Sequence, residues 1–448
     1  MKSKISILLI NPWITDFAAY NLWAEPLGML YVASILKAAG ASVSYIDCLT
    51  SRVKPNPLSK PNGCSKYNRR LIEKPEPLRF VPRGYAVYGI EEDEFLRNLE
   101  KTPRPDTVLV TSHMTYWYPG VFRTIEIVRN YYDYKVPVIL GGIYANLCTS
   151  HARQYSGAIF VFTGQNLGKL IPLIERMTQK AFQRRPSLES FSSYPLPLHE
   201  LGPRKRFFSV LTGRGCPFSC SYCASPLLWD GFSRRERGSV LEEIETYTAL
   251  LGTENIAFYD DALLMDAENH ILPILRECAR RTKKMAFHLP NGIHARFVDE
   301  QVASHFRKFG VETIRIGLET ADSRLQRITG SKTTNEEYSE AVEHFRNAGY
   351  RRKDIGTYII VGLPGQSPAE IESSVDFVYR AGAAPYLSYF SPIPGTAIWQ
   401  EACKQSPFPV DREPLYQNNS VFLLGNSEFS PDSLQHLKDM SVELRDRP

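Results

Sequence analysis

Residues 5–10 (Ile-Ser-Ile-Leu-Leu-Ile) form an unbroken apolar run, the mark of a strand buried on both faces, and Asn11-Pro12 ends it. Residues 27–39 carry apolar side chains at helical spacing and stop at Gly40. Residues 42–46 read as the next strand, followed by Asp47. The pattern resumes with a strand at 107–111, a helix over 121–132, and a strand at 137–140 that meets Gly141-Gly142. A strand at 158–162 then ends in Thr163-Gly164, and a helix over 167–177 closes the series. Strands alternating with helices predict a doubly wound parallel sheet, with ligands beyond the strand C-termini. That expectation puts Asn11-Pro12, Thr111-Ser112-His113 and Gly141-Gly142-Ile143 on one rim. Residues 51–100 interrupt it. They are rich in Pro, Lys and Arg, from Lys54-Pro55-Asn56-Pro57 to Pro82-Arg83-Gly84-Tyr85. They read as a long irregular insertion, either a lid over the rim or a surface excursion.

Residues 182–204 are rich in Ser, Pro and Arg, lack periodicity, and read as a linker. Beyond it the strand–helix alternation returns. Strands are expected at 207–211, 255–259, 286–289, 313–318, 355–361 and 386–392. Helices are expected at 239–251, 300–309, 335–348 and 368–381. Six repeats predict a partial (β/α)6 barrel, whose chemistry belongs at the strand C-termini. The expected division is an α/β domain at 1–181, the linker, a core at 205–400, and an extension at 401–448 with a helix near 430–444.

The 448 residues are 43% hydrophobic and 23% charged, an ordinary globular composition with room for two or three domains. No apolar run approaches the ~20 residues of a membrane span, and no leader pattern precedes the first strand, so a cytoplasmic protein is expected. A net charge of +5 is too mild to argue for nucleic acid. The basic clusters Arg234-Arg235, Arg280-Arg281-Thr282-Lys283-Lys284 and Arg351-Arg352-Lys353 read as solvated helix ends and loops.

Cysteine spacing changes the picture most. Cys216, Cys220 and Cys223 follow the first strand of the second half in Gly213-Arg214-Gly215-Cys216-Pro217-Phe218-Ser219-Cys220-Ser221-Tyr222-Cys223. Glycine and proline around Cys216 call for a loop, which can bend three thiolates towards one point. Zinc sites usually show two paired knuckles, and no second knuckle is present. Disulfide frameworks belong to small secreted chains. Three thiols satisfy three irons of a [4Fe–4S] cubane, whereas ordinary electron-transfer clusters use four.

The Cys-x3-Cys-x2-Cys spacing, with Tyr222 before the last Cys, resembles the radical S-adenosylmethionine (SAM) superfamily. The resemblance implies that SAM chelates the fourth iron. One electron then cleaves SAM to methionine and a 5′-deoxyadenosyl radical, which abstracts a hydrogen atom. It also implies SAM contacts at Tyr222, at Asp260 and Asp261, at Arg296 (or a structural ion pair there), at Glu319 in Gly317-Leu318-Glu319-Thr320, and at Gly362 in the fifth strand's loop. The first half resembles the cobalamin-binding-type domain that precedes many such cores, through Asn11-Pro12, residues 25–31, Asp47, Gly141-Gly142 and Gly164. Thr111, Gly141, Gly142 and Gly164 are the implied cobalamin contacts. The last loop, Gly164-Gln165-Asn166-Leu167-Gly168, lacks the family's two acids, and the cobalt-ligating Asp-x-His-x-x-Gly motif is absent. The implied activity is hydrogen abstraction from a small-molecule or peptide substrate. It is served by a low-potential flavodoxin- or ferredoxin-type donor and extends to C-methylation if cobalamin binds. Radical rearrangement or oxidation with a degenerate first domain, an RNA methylthiotransferase, and a non-catalytic iron–sulfur or zinc protein stay open as alternatives. Cys48, Cys64 and Cys148 read as single buried thiols.

Overall fold

A computed structural model describes residues 4–51, 56–57, 59–203, 206–281, 285–422 and 428–447. Lys54-Pro55 of the insertion, Lys205 at the expected start of the core and Thr282-Lys283-Lys284 of one basic cluster lie outside the described residues. The chain divides into two compact units. One is Met1–Phe208 with Ala249–Thr253 and Arg412–Asn418. The other is Ser209–Thr248, Glu254–Asp411 and Asn419–Pro448.

The first unit is built on five parallel strands in the order Phe160–Val161, Val138–Leu140, Thr107–Val110, Ser6–Asn11, Ser42–Asp47. Numbered along the chain this is 5-4-3-1-2, the flavodoxin-like order. The chain reverses direction between its first and third strands, and a crevice opens there. Leu8, Ile10, Val108, Val110 and Leu140 are buried in the sheet beneath Val121, Ile125 and Val128 of helix Tyr118–Tyr131. Apolar runs without alternation are therefore what the sheet requires.

The insertion is not irregular, and this corrects the expectation. Tyr85–Tyr88 pairs antiparallel with both Ile14–Asp16 and Arg69–Ile72. Helix Glu92–Glu100 then buries Phe95 and Leu99 in the main core, making it the crossover between the second and third strands. Exposed Arg69 and Arg70 and the prolines at 75, 77 and 82 hide the periodicity. Segment Arg412–Asn418 is fastened into the same unit. Asn418 Nδ2 donates to Asp16 Oδ1 at 2.9 Å, and Tyr118 Oη donates to Glu413 Oε1 at 3.0 Å.

The second unit carries a six-stranded sheet whose strands follow chain order: Phe207–Val210, Asn255–Phe258, Ala286–His288, Val311–Glu319, Ile355–Val361 and Ala384–Tyr389. The described pairings between its successive strands are parallel, as a partial (β/α)6 barrel demands. Several helices start on side-chain caps, including capping boxes at Thr334 with Glu337 and Ser367 with Glu370. The last helix, Pro431–Asp446, packs on the sixth strand, with Ser441 Oγ donating to Pro385 O. No helix among the described residues is long and apolar enough to cross a membrane.

Candidate active site of the second unit

The loop after the first barrel strand is clamped by backbone. Gly213 and Arg214 pair with Arg234 and Ser233. Gly215 takes φ +77°, and a Cβ there would lie 2.0 Å from Gly231 O, so only glycine makes this turn. Further along, Ser221 N donates to Thr329 O and Ser221 O accepts from Ile398 N. Cys216, Cys220 and Cys223 consequently line one cavity of about 380 Å³, together with Tyr222, Asp261, His294, Glu319 and Lys332.

No group of three or more His, Cys, Asp or Glu side chains among the described residues is arranged around a single metal ion. The loop brings the three thiols to the wall of one cavity. A zinc site needs its donors within ~2.0–2.3 Å of one centre. A cubane presents a separate iron to each thiolate, and three thiols on one cavity wall suit it.

Burial pushes all three thiols up, Cys223 to about 11, while the Lys332 ammonium pulls each back down. Sequence reasoning missed Lys332, and no motif marks it. Its Nζ lies 3.3 Å from Glu319 Oε1, with both side chains largely buried. Burial works against the ammonium, yet Glu319 and the thiols of Cys220 and Cys223 hold its pKa above the ordinary lysine value. Glu319 has φ +69° where the fourth strand slips register against the fifth, an uncommon conformation for a side-chain-bearing residue. A Cβ on Gly317 would lie 2.5 Å from Lys332 Nζ and 2.7 Å from Glu319 Oε1, so a side chain there would displace the tips of this pair.

The two aspartates divide their work. Asp261 lines the cavity and accepts from Ser225 Oγ at 2.7 Å. Asp260 points to the base of the loop, where its carboxylate accepts from Thr212 N, Thr212 Oγ1 and Gly213 N at 3.1, 2.6 and 2.6 Å. Burial pushes Asp260 up to about 7 against these three donors. Arg296 and Gly362 each have protein neighbours in place. Arg296 donates to Ser331 O at 2.7 Å and pairs with Glu337 at 3.3 Å, the structural ion pair. Gly362 faces the Phe422 ring, 2.6 Å from where its Cβ would be, because the C-terminal segment fills the space beside it.

On the first unit's rim the furnishing is backbone. Ser112 Oγ donates to Gly141 O at 2.7 Å, and Ile143 N donates to Ser112 O. Gly142 has φ +97°, and a Cβ would lie 2.2 Å from Ser112 O. Gly164 N donates to Asn146 Oδ1, and nothing lies within 4 Å of its missing Cβ. Thr111 N donates to Ile10 O. The four expected cobalamin contacts thus stand on loops at one end of the sheet. At the crevice, Asp47 Oδ1 accepts from Asn11 Nδ2, and Asn11 Oδ1 lies 3.2 Å from His113 Nε2. Burial pushes His113 down to about 4, so its ring is neutral. Open space at Gly164, glycine-tight loops and a neutral imidazole suit a large flat cofactor. Cys48, Cys64 and Cys148 are separately buried thiols outside disulfides.

Residues 210–378 match the family described as the radical SAM superfamily. The chain is 26% identical over 49% of its length to an uncharacterised methyltransferase, PH0819, of Pyrococcus horikoshii, and spans only 48% of that relative. It is 25% identical over 92% of its length to cytidylyl-2-hydroxyethylphosphonate methyltransferase of Streptomyces wedmorensis, spanning 84% of it. Its fold is similar, at a TM-score of 0.67 and 18% identity, to the radical S-adenosylmethionine methyltransferase TsrM of Kitasatospora setae, solved with cobalamin and a [4Fe–4S] cluster bound. The match covers 99% of this chain and 91% of that one. Residues 210–378 are thus similar to the radical SAM superfamily, and the fold of the chain is similar to that of a radical S-adenosylmethionine methyltransferase.

Proposed function

We propose that this enzyme methylates an unreactive carbon of a small-molecule or peptide substrate, with a cluster on Cys216, Cys220 and Cys223 and a corrinoid on the first unit's rim. The observation that carries the reading is the single cavity shared by three thiols, two carboxylates and one buried ammonium. When bound, the cluster supplies the electron that splits SAM and the corrinoid supplies a methyl carrier.

The chain's own residues prepare both. Lys332 favours the thiolate form that metal ligation requires. Asp261 offers a carboxylate to the SAM ammonium, and Glu319 offers one to vicinal ribose hydroxyls. Asp260 holds the loop base and touches no cofactor in this reading. Tyr222 lines the cavity and packs with Ile360 and Phe422 against Leu363 and Phe390, which fixes its place on the wall. On the first unit, Thr111, Gly141, Gly142 and Gly164 take the corrinoid. The similarity of the fold to a cobalamin-bound methyltransferase and the relatives' methyltransferase names support this half of the reading. Electrons come from a low-potential flavodoxin or ferredoxin.

The test is anaerobic reconstitution of protein purified from cobalamin-fed cells. Expected results are about four irons per chain, a corrinoid absorption band, and 5′-deoxyadenosine from SAM under reductant. Cys220→Ala should give none. Cluster-loaded protein that leaves SAM intact would overturn the radical reading. Cleavage by protein that takes up no corrinoid would retain the radical chemistry and remove methyl transfer.

A further inference from the structure

His294 has no part in the reading above, yet the residue is 3% exposed and lines the same cavity. The third strand's extension holds it there. Ile293 bridges Ile316 of the fourth strand, donating to Arg315 O and accepting from Gly317 N. The ring packs 4.9 Å from Phe218, two residues beyond Cys216, and 6.0 Å from Phe297, centroid to centroid. Arg296 covers Phe218 at 5.4 Å. In this fixed pose His294 Nε2 lies 3.8 Å from Cys216 Sγ. Nδ1 is buried with no hydrogen-bond partner among the described residues.

Those two facts choose the tautomer. A sulfur that ligates iron has no proton to give and can only accept. With its hydrogen on Nδ1, the neutral ring would bury an unsatisfied N–H and turn the Nε2 lone pair on the thiolate. With its hydrogen on Nε2, the ring donates to sulfur and leaves only a bare lone pair unpartnered. The second arrangement avoids both penalties. We infer that His294 is a positioning residue for the iron–sulfur site, donating Nε2–H to the Cys216 sulfur and so raising the reduction potential of the cluster. The inference rests on the proposed reading that Cys216 ligates the cluster. The sign follows from charge. Reduction adds an electron that is shared with the sulfurs, and an N–H dipole stabilises the more negative state. Cys223 Sγ also accepts a bond, from Ser225 N at 3.4 Å, but that donor is backbone and survives any side-chain change. His294 is a donor that mutation can delete.

The test is a spectroscopically monitored redox titration of reconstituted, SAM-free holoprotein. His294→Leu, which has no donor, should keep its iron and titrate at a more negative potential. His294→Gln, which restores an N–H, should titrate close to the wild type. An unchanged midpoint in fully loaded His294→Leu would overturn the inference. If that variant does not load, wild-type protein grown on 15N-histidine decides. Its reduced cluster should show a weak 15N coupling in pulsed paramagnetic resonance, and the absence of coupling would overturn the inference equally. Wild-type protein that binds no iron removes the underlying reading as well, and the iron assay reveals that before any titration.

Discussion

The first unit's rim is built of backbone: Gly141, Gly142 and Gly164 stand at strand ends, tied by Ser112 and Asn146 to neighbouring loops. The second unit's rim is built of side chains. Three thiols, Asp261, Glu319, Lys332 and His294 share one cavity, and Asp260 locks the loop beneath it. Both lie at the C-terminal ends of parallel strands, where the β/α repeat leaves loops free to vary. A backbone rim suits a broad ligand that needs close approach. A side-chain rim sets charge and donor chemistry at single atoms.

The largest way to break the contrast is at Lys332. Lys332→Met strands Glu319 as a buried charge and removes the cation that all three thiols feel. Breaking a buried pair of this kind costs about 3–5 kcal/mol. The denaturation midpoint should fall accordingly, and iron per chain should fall with it. Lys332→Met with Glu319→Gln should recover part of the stability but not the iron. If the single variant matches wild type in both measurements, the second rim is not organised by charge.

Gly142→Ala is the counterpart on the backbone rim. Its Cβ meets Ser112 O at 2.2 Å in a left-handed conformation, so the two loops must part. A cost of about 1–3 kcal/mol is expected, with corrinoid uptake lost and cluster iron unchanged. Loss of iron together with corrinoid would erase the distinction between the rims. Asp260→Asn comes next. It turns an N–H onto donors that need an acceptor, for about 1–3 kcal/mol. SAM cleavage should fall through the misplaced loop, and the KM for SAM should move less than kcat.

Legibility in the sequence follows the same division. Cys216, Cys220 and Cys223 were readable because their spacing is local and their chemistry rare. The parallel strands were readable because burial on both faces leaves continuous apolar runs. Lys332 and His294 were not readable as site residues. Each reaches the cavity only through tertiary packing, Lys332 from the segment after helix Ser323–Ile328 and His294 along the edge of the fourth strand. Their neighbouring residues give no periodic signal. Asp260 and Asp261 looked equivalent in sequence, and only the pleat of the strand end sends one to the loop base and the other to the cavity. Gly362 is an implied SAM contact, so a ring of the ligand is expected beside it. A ring does lie there, but it is Phe422, sixty residues away in the chain.

The smallest effect separates the units through their histidines. His288 is fully buried in the third barrel strand, with Nε2 3.1 Å from Asn255 Oδ1 and Nδ1 3.1 Å from Thr313 Oγ1. Asn255 Oδ1 can only accept, so Nε2 carries the hydrogen and Thr313 donates to Nδ1. Burial pushes His288 down to about 4, the level reached by His113 beside Asn11 on the other rim. A histidine depressed in the folded state binds its proton more readily when the chain unfolds. Stability is therefore complete above the ordinary value near pH 6.5 and is lost as pH falls from there towards 4. One such group contributes a slope of at most ~1.4 kcal/mol per pH unit. His288→Gln keeps a donor and an acceptor and removes the titration. It should change stability at pH 7.5 by no more than ~1 kcal/mol. It should also slow the acid-side decline of hydrogen-exchange protection in Ala286–His288, leaving Thr107–Val110 as in the wild type. His113→Gln should do the reverse. Equal flattening in both sheets from either variant would mean that the two rims are held by one cooperative structure, not by two differently built ones.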